Sequence, residues 1–181
     1  MAKFHSIKVA DVYKETKDCT VISFEIPNDL KSEYQFKQGQ HLTLRTIIDG
    51  NEVRRSYSLC SSPIENKWNV AVKKINEGLF STFVNEKLRK GDVLDVMAPN
   101  GTFFTEIDPK KAKNYIAFAA GSGITPILSI IKTHLALEPE STFKLFYLNR
   151  TVKSIVFKEE IEQLKNRYFN GGFYVGQILK S

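Results

Sequence analysis

Thiols are scarce in this 181-residue chain, which has only Cys19 and Cys60. A disulfide framework is therefore excluded, and so is a four-thiolate iron–sulfur cluster ligated by this chain alone. His5, His41 and His134 are too scattered to suggest a metal site and read as structural or surface residues, so no metal is expected. Long apolar runs are missing as well. None approaches the roughly 20 residues of a membrane span, and Met1-Ala2-Lys3-Phe4-His5-Ser6 lacks signal-peptide character. The expected location is a reducing cytoplasm, with no membrane partner. Blocks of one-signed charge are absent too: 26 Lys and Arg are interleaved with 20 Asp and Glu, for a formal charge of +6. No RNA-recognition or zinc-finger pattern accompanies the basic residues, so no nucleic-acid partner is expected. Such a surplus is ordinary for a solvated surface and also suits the steering of an anionic cofactor or an acidic protein.

What the chain does contain is core material, with 42% hydrophobic and 12% aromatic residues. That is enough for one or two domains. The first hundred residues predict six short strands, over 4–12, 19–26, 41–48, 53–60, 68–75 and 93–98. In the second, Ile22, Phe24 and Ile26 alternate with polar positions, the pattern of a half-buried strand. Asp49-Gly50 between the third and fourth is a hairpin signal. Leu79, Phe80, Phe83, Val84 and Leu88 fit a short helix over 79–89, and a helical turn is expected near 30–34. Six strands with one intercalated helix imply a small antiparallel barrel.

The pattern changes after Pro109. Residues 115–120 form a continuous apolar run, as in a strand covered on both faces. A helix over 126–137, a strand over 142–148, an amphipathic helix over 154–168 and a third strand over 173–179 follow, with a turn at 170–172. This alternation predicts a parallel α/β sheet. The expected division is 1–108 for the barrel and 109–181 for the second lobe. About 70 residues make at most half of a doubly wound sheet, whose binding crevice needs strands from both halves, so this lobe reads as incomplete.

Three constellations bear on chemistry. In Arg55-Ser56-Tyr57-Ser58, strand alternation sets Arg55 and Tyr57 on one face. An Arg fork suits phosphate oxygens and a Tyr ring offers a stacking surface, although a plain cross-strand pair would look the same. Gly78 leads into the predicted helix at Leu79-Phe80-Ser81, where free backbone N–H groups favour anions; an ordinary helix start has the same sequence. Ala120-Gly121-Ser122-Gly123-Ile124-Thr125-Pro126 directly follows the apolar strand. Thr125 is suited to N-cap the next helix and Pro126 to begin it, and the glycines would let the backbone approach a pyrophosphate or simply make a tight turn.

Arg55-Ser56-Tyr57-Ser58 resembles the R-x-Y-S flavin motif of the ferredoxin–NADP⁺ reductase superfamily. Gly121 to Pro126 resembles its G-x-G-x-x-P nucleotide turn. Phe4-His5-Ser6, Gly39-Gln40-His41-Leu42-Thr43-Leu44 and Asn149-Arg150-Thr151 extend the likeness over residues 4–168, toward oxygenase reductases that serve the breakdown of aromatic acids such as phenylacetate. The resemblance implies an FAD-binding barrel followed by a lobe for NADPH or NADH. Arg55 would hold the flavin pyrophosphate, Tyr57 would pack on the ring and ribityl region, and Ser58 would sit at the reactive edge as the residue nearest catalysis. Ser56 belongs to the same motif, Val72 and Lys73 match the next cofactor-lining stretch, and Gly78, Leu79, Phe80 and Ser81 match a phosphate-binding helix start. Gly121, Gly123, Thr125 and Pro126 would meet the nicotinamide cofactor. Arg150 would meet an adenosine-side phosphate or stand solvated. The electron acceptor would be an iron–sulfur or oxygenase protein. Two family features find no match, a Cys-Gly-x-Pro segment and a plant-type iron–sulfur domain. The alternative is therefore a truncated flavin-binding remnant or interaction module without efficient nicotinamide turnover.

Overall fold

The computed structural model describes residues 3–168 and 172–179. Its first part contains β1 (Phe4–Thr16), β2 (Cys19–Glu25), β3 (His41–Ile48), β4 (Asn51–Ser58), β5 (Trp68–Lys73), α1 (Leu79–Glu86) and β6 (Val93–Met97). The six strands form one antiparallel sheet in the order β4-β3-β6-β1-β2-β5. A bridge between Leu59 and Val70 brings the end of β4 back to β5 and curls the sheet into a barrel. Alternation drives this closure: Ile7, Val9, Ile22, Phe24, Leu42, Leu44, Val70, Val72, Leu94 and Val96 all turn inward and are buried. Phe80 and Val84 of α1 join the same core. Asp49 and Gly50 both take positive φ, as the twist-matched two-residue hairpin turn requires.

β1 runs on past residue 12 to Thr16. Its register with β2 shifts between Val9 and Asp11 and again between Lys14 and Thr16. Such bulges break the strict alternation on which a sequence-based boundary depends.

The second part contains β7 (Asn114–Ala120), α2 (Ile124–Leu137), β8 (Thr142–Asn149), α3 (Lys158–Arg167) and β9 (Phe173–Leu179). The strands are parallel and ordered β7-β8-β9. Residues 170 and 171 of the expected turn lie outside the described residues. Both helices pack on one face of this sheet, where Ala117, Ala119, Phe143, Leu145, Tyr147 and Phe173 meet Leu128, Ile131, Ile161 and Leu164. Crossovers of one hand that step in one direction across a sheet put their helices on the same side. The opposite face is open among the described residues: Phe118 is 71% exposed, Ile116 61% and Ile178 48%. The run over 115–120 is therefore covered on one face, not on both as its composition suggested.

The core of this second sheet also takes in Cys19, Val21, Cys60 and Ala71, which lie on the outer wall of the barrel. Polar ties cross the same seam. Ser129 Oγ donates to Ser61 O at 2.6 Å, and Lys132 bridges Glu65 and Glu160 at 2.9 Å each. The connection between the two sheets is anchored by Glu138, which is wholly buried. It accepts from Asp108 N–H and Tyr115 Oη at 2.8 Å and from Ser141 Oγ at 3.0 Å. Burial would raise its pKa, yet these donors hold the carboxyl down to about 2. Beside it, His134 Nε2 pairs with Thr105 Oγ1 at 2.5 Å.

Candidate functional site

A groove of about 500 Å³ runs between the end of β4, the start of α1 and the turn before α2. Arg55, Ser56, Tyr57, Ser58, Lys73, Gly78, Leu79, Phe80, Ser81, Gly123, Thr125 and Pro126 border it, so most of the expected residues meet there although they come from both halves of the chain. Pairing fixes their orientation. Arg55 lies opposite Leu44 and Tyr57 opposite Leu42, hence on the same face of the sheet. The Tyr57 ring lies 5.7 Å from that of Phe80 in α1, and burial pushes its phenol up to about 12, so it stays protonated. Ser56 borders the groove while its hydroxyl is engaged with Thr43 Oγ1 at 2.9 Å. Val72 does not reach the groove. The alternation that buries Trp68 and Val70 also buries Val72 in the barrel, and its neighbours Ala71 and Lys73 are the ones that face the space.

The groove is cationic. Arg45 pairs with Asp95 at 2.8 Å and Arg54 with Glu52 at 2.6 Å, whereas Arg55 and Lys73 have no carboxylate partner among the described residues. No side chain caps the N-terminus of α1 at Gly78, which leaves its leading N–H groups uncapped where the helix start borders the groove. Ser81 fixes this corner by donating to Gly78 O at 3.1 Å and accepting from Ile75 N–H at 3.2 Å. Two unpaired cations, an open helix end and an aromatic wall suit a dinucleotide, with phosphates at one end and a planar ring at the other.

A second cleft, of about 720 Å³, adjoins the first and shares Lys73, Ile75 and Ser122 with it. Gly121, Asn149, Arg150, Ser154 and Ile178 complete its walls. Gly121 takes a φ of +51°, which a glycine allows without strain. The residues Gly121–Gly123 form a 3₁₀ turn, so α2 begins at Ile124 and not at residue 126. Thr125 is not its N-cap: its hydroxyl donates to Ser122 O at 3.1 Å, tightening the turn from inside. Arg150 belongs to this cleft and not to the groove, and it too lacks an ion-pair partner among the described residues.

Sequence reasoning missed Ile75, Ser122, Asn149 and Ser154. Asn149 carried a signal only in hindsight, as a polar residue at an inward position of an otherwise apolar strand. It is 7% exposed, and neither of its carboxamide atoms has a hydrogen-bond partner. The segment after it also differs from expectation. α3 begins at Lys158 and not at residue 154, because Phe157 takes a φ of +60° that breaks the helix on its N-terminal side. Phe157, Ile161 and Leu164 are nevertheless all buried, as their spacing suggested.

Comparison with known proteins agrees with this geometry. Residues 6–105 match the oxidoreductase FAD-binding domain family, and residues 118–178 match the oxidoreductase NAD-binding domain family. The chain is 46% identical over 168 residues to one of the subunits of 1,2-phenylacetyl-CoA epoxidase from Escherichia coli, covering 93% of this chain and 47% of that protein. It is 36% identical to the ferredoxin reductase component of 3-ketosteroid-9-alpha-monooxygenase from Rhodococcus rhodochrous, covering 90% and 46%. The chain thus spans about half the length of these relatives. Among solved structures, a ferredoxin NADP⁺ reductase from Neisseria gonorrhoeae with bound FAD and NADP superposes with a TM-score of 0.81 at 22% identity, covering 99% of this chain and 69% of that one. Phthalate dioxygenase reductase superposes with a TM-score of 0.79 at 27% identity, covering 98% and 53%.

Proposed function

The chain belongs to the FAD- and NAD-binding oxidoreductases of the ferredoxin reductase superfamily, and from that premise we propose that it draws electrons from NADPH or NADH onto FAD and passes them to an iron–sulfur or oxygenase partner. The observation that carries this reading is the groove itself, where unpaired Arg55 and Lys73 and the uncapped start of α1 surround a space walled by Tyr57. When bound, FAD would supply the redox chemistry, accepting a pair of electrons and releasing them singly. The residues bind and orient. Arg55 presents its guanidinium fork to the diphosphate, and the N–H groups at Gly78 to Phe80 take the remaining phosphate oxygens. Tyr57, braced by Phe80, packs on the ring and ribityl region as a neutral phenol. Ser58 ends β4 at the same groove, where its hydroxyl would hydrogen-bond the reactive edge of the ring. Gly123 of the turn and Thr125 and Pro126 of the first turn of α2 border the same groove, so a nicotinamide lying along them would face the flavin. The adjoining cleft, with Gly121, Lys73 and Arg150, takes the rest of the nicotinamide nucleotide.

The likeness to the phenylacetyl-CoA epoxidase component supports an oxygenase in aromatic-acid breakdown as the recipient of the electrons. A second reading, FAD binding without efficient nicotinamide turnover, is favoured by the open face of Ile116, Phe118 and Ile178 and by a strand order that does not reverse among the described residues. One experiment separates them. The protein is reconstituted with FAD, its visible spectrum is recorded, and NADH or NADPH is added without oxygen. Rapid bleaching supports the reductase, and persistent colour supports the second reading. Failure to retain FAD refutes both.

A further inference from the structure

Resting on that reading, we infer that Tyr147 and Glu15 are positioning residues for the nicotinamide-nucleotide cleft, the first tying its glycine turn to the chain just beyond its other wall and the second tying that same chain to the barrel. The cleft is walled by the turn at Gly121 and Ser122 on one side and by the segment 149–154 on the other. Tyr147 sits between them in β8 with no exposure to solvent. Its hydroxyl lies 2.9 Å from Gly121 O and 3.2 Å from Val156 O. A phenol has one proton, so it is shared between, or alternates between, a carbonyl of the glycine turn and the carbonyl of Val156, two residues past the opposite wall. Burial raises the Tyr147 pKa further above its ordinary value, so this proton stays in place.

The second tie is next in sequence. Phe157 holds a φ of +60°, a conformation that bulky L residues rarely adopt, while its ring is 2% exposed in the core. Its carbonyl accepts from Ile161 N–H to start α3. Its N–H turns away from the helix and donates to Glu15 Oε1 at 2.8 Å, across 142 residues of sequence. Glu15 lies near the tip of the β1–β2 hairpin, so the barrel itself fixes where the wall segment ends. Neither Tyr147 nor Glu15 borders the nucleotide cleft itself; Glu15 and Phe157 border a separate space along the seam, with Cys60 and Lys132.

Tyr147→Phe removes the hydroxyl and keeps the ring, Glu15→Ala removes the acceptor, and Glu15→Gln keeps an acceptor oxygen. The FAD-loaded proteins are titrated with NADP⁺ and NAD⁺, and amide hydrogen exchange is followed in the segments 121–125 and 150–157. The expected result is about three- to tenfold weaker nucleotide binding for Tyr147→Phe and Glu15→Ala, the worth of one net hydrogen bond. Glu15→Gln should restore binding, FAD affinity should not change, and exchange should quicken in both segments for Tyr147→Phe but only in 150–157 for Glu15→Ala. Variants that bind nucleotide like the parent overturn the inference and leave the proposed function standing, as does a loss of FAD and nucleotide in equal measure, which marks a merely structural role. A parent protein that holds FAD but neither nucleotide overturns the inference together with the nicotinamide half of the proposed function.

Discussion

Arg55→Ala tests the groove most directly, because the fold has little stake in that guanidinium. Arg55 is exposed, and its one internal hydrogen bond is local, from Nη1 to Arg54 O at 2.6 Å. Its loss should change folding stability by no more than about 0.5 kcal/mol. A charge-assisted contact to phosphate is worth about 1.5–3 kcal/mol, so FAD affinity should fall by roughly 10- to 150-fold. Solvent around an exposed side chain favours the lower end of that range. Arg54→Ala is the matched control. It removes the same charge one residue away, but Arg54 pairs with Glu52 at 2.6 Å and is absent from the groove lining. Any general electrostatic attraction falls equally in both variants, and only the specific contact separates them. Arg55→Lys should be intermediate, keeping the charge but losing the fork. The assay is titration of apoprotein with FAD, followed by quenching of flavin fluorescence, with thermal melts in parallel. Equal loss in Arg54→Ala and Arg55→Ala, or no loss in either, would refute the reasoning.

Arg150→Ala should weaken NADPH binding more than NADH binding, since only the former adds a 2′-phosphate on its adenosine ribose for a cation at the tip of β8; an equal effect on both in nucleotide titrations removes Arg150 from that role. Gly39→Ala should cost about 3 kcal/mol in denaturant unfolding, because its φ is +93° and an added Cβ would run into the Phe103 carbonyl oxygen. Gly50→Ala, at a φ of +79° but with nothing nearby, should cost only about 1 kcal/mol; similar costs for the two would show that backbone conformation alone governs both sites. The depressed pKa of Glu138 has a pH consequence. Its folded value of about 2 lies below the ordinary 4.5, so the stability it contributes is present above that ordinary value and lost as pH falls toward 2. Urea midpoints measured across this range should drop in the parent and flatten in Glu138→Gln.

The barrel was readable in the sequence because residues such as Ile22, Phe24 and Val70 mark its inward face by alternation. Where reading failed, the cause lay at a distance. Phe157 looks like an ordinary helical position until Glu15, far away in the chain, captures its amide. Residues 115–120 look coverable on both faces, and only the order β7-β8-β9 shows which face the helices take. Val72 was a different kind of error. Family resemblance pointed to a stretch of β5 whose Lys73 lines the groove, but the parity of Val72 with Trp68 and Val70 already pointed it inward. The candidate site residues stood out as motifs, whereas their meeting in one groove depends on the packing of α2 against the barrel wall.

That packing also sets a timescale. With Cys19, Val21, Cys60 and Ala71 buried under the helices of the neighbouring sheet, the groove and the adjoining cleft are fixed relative to each other when the chain folds. Under the proposed function, electron transfer between nucleotides held there would need no domain closure in each cycle. Its rate should be insensitive to solvent viscosity, as in a solid-state junction and unlike a jaw that must shut before it works.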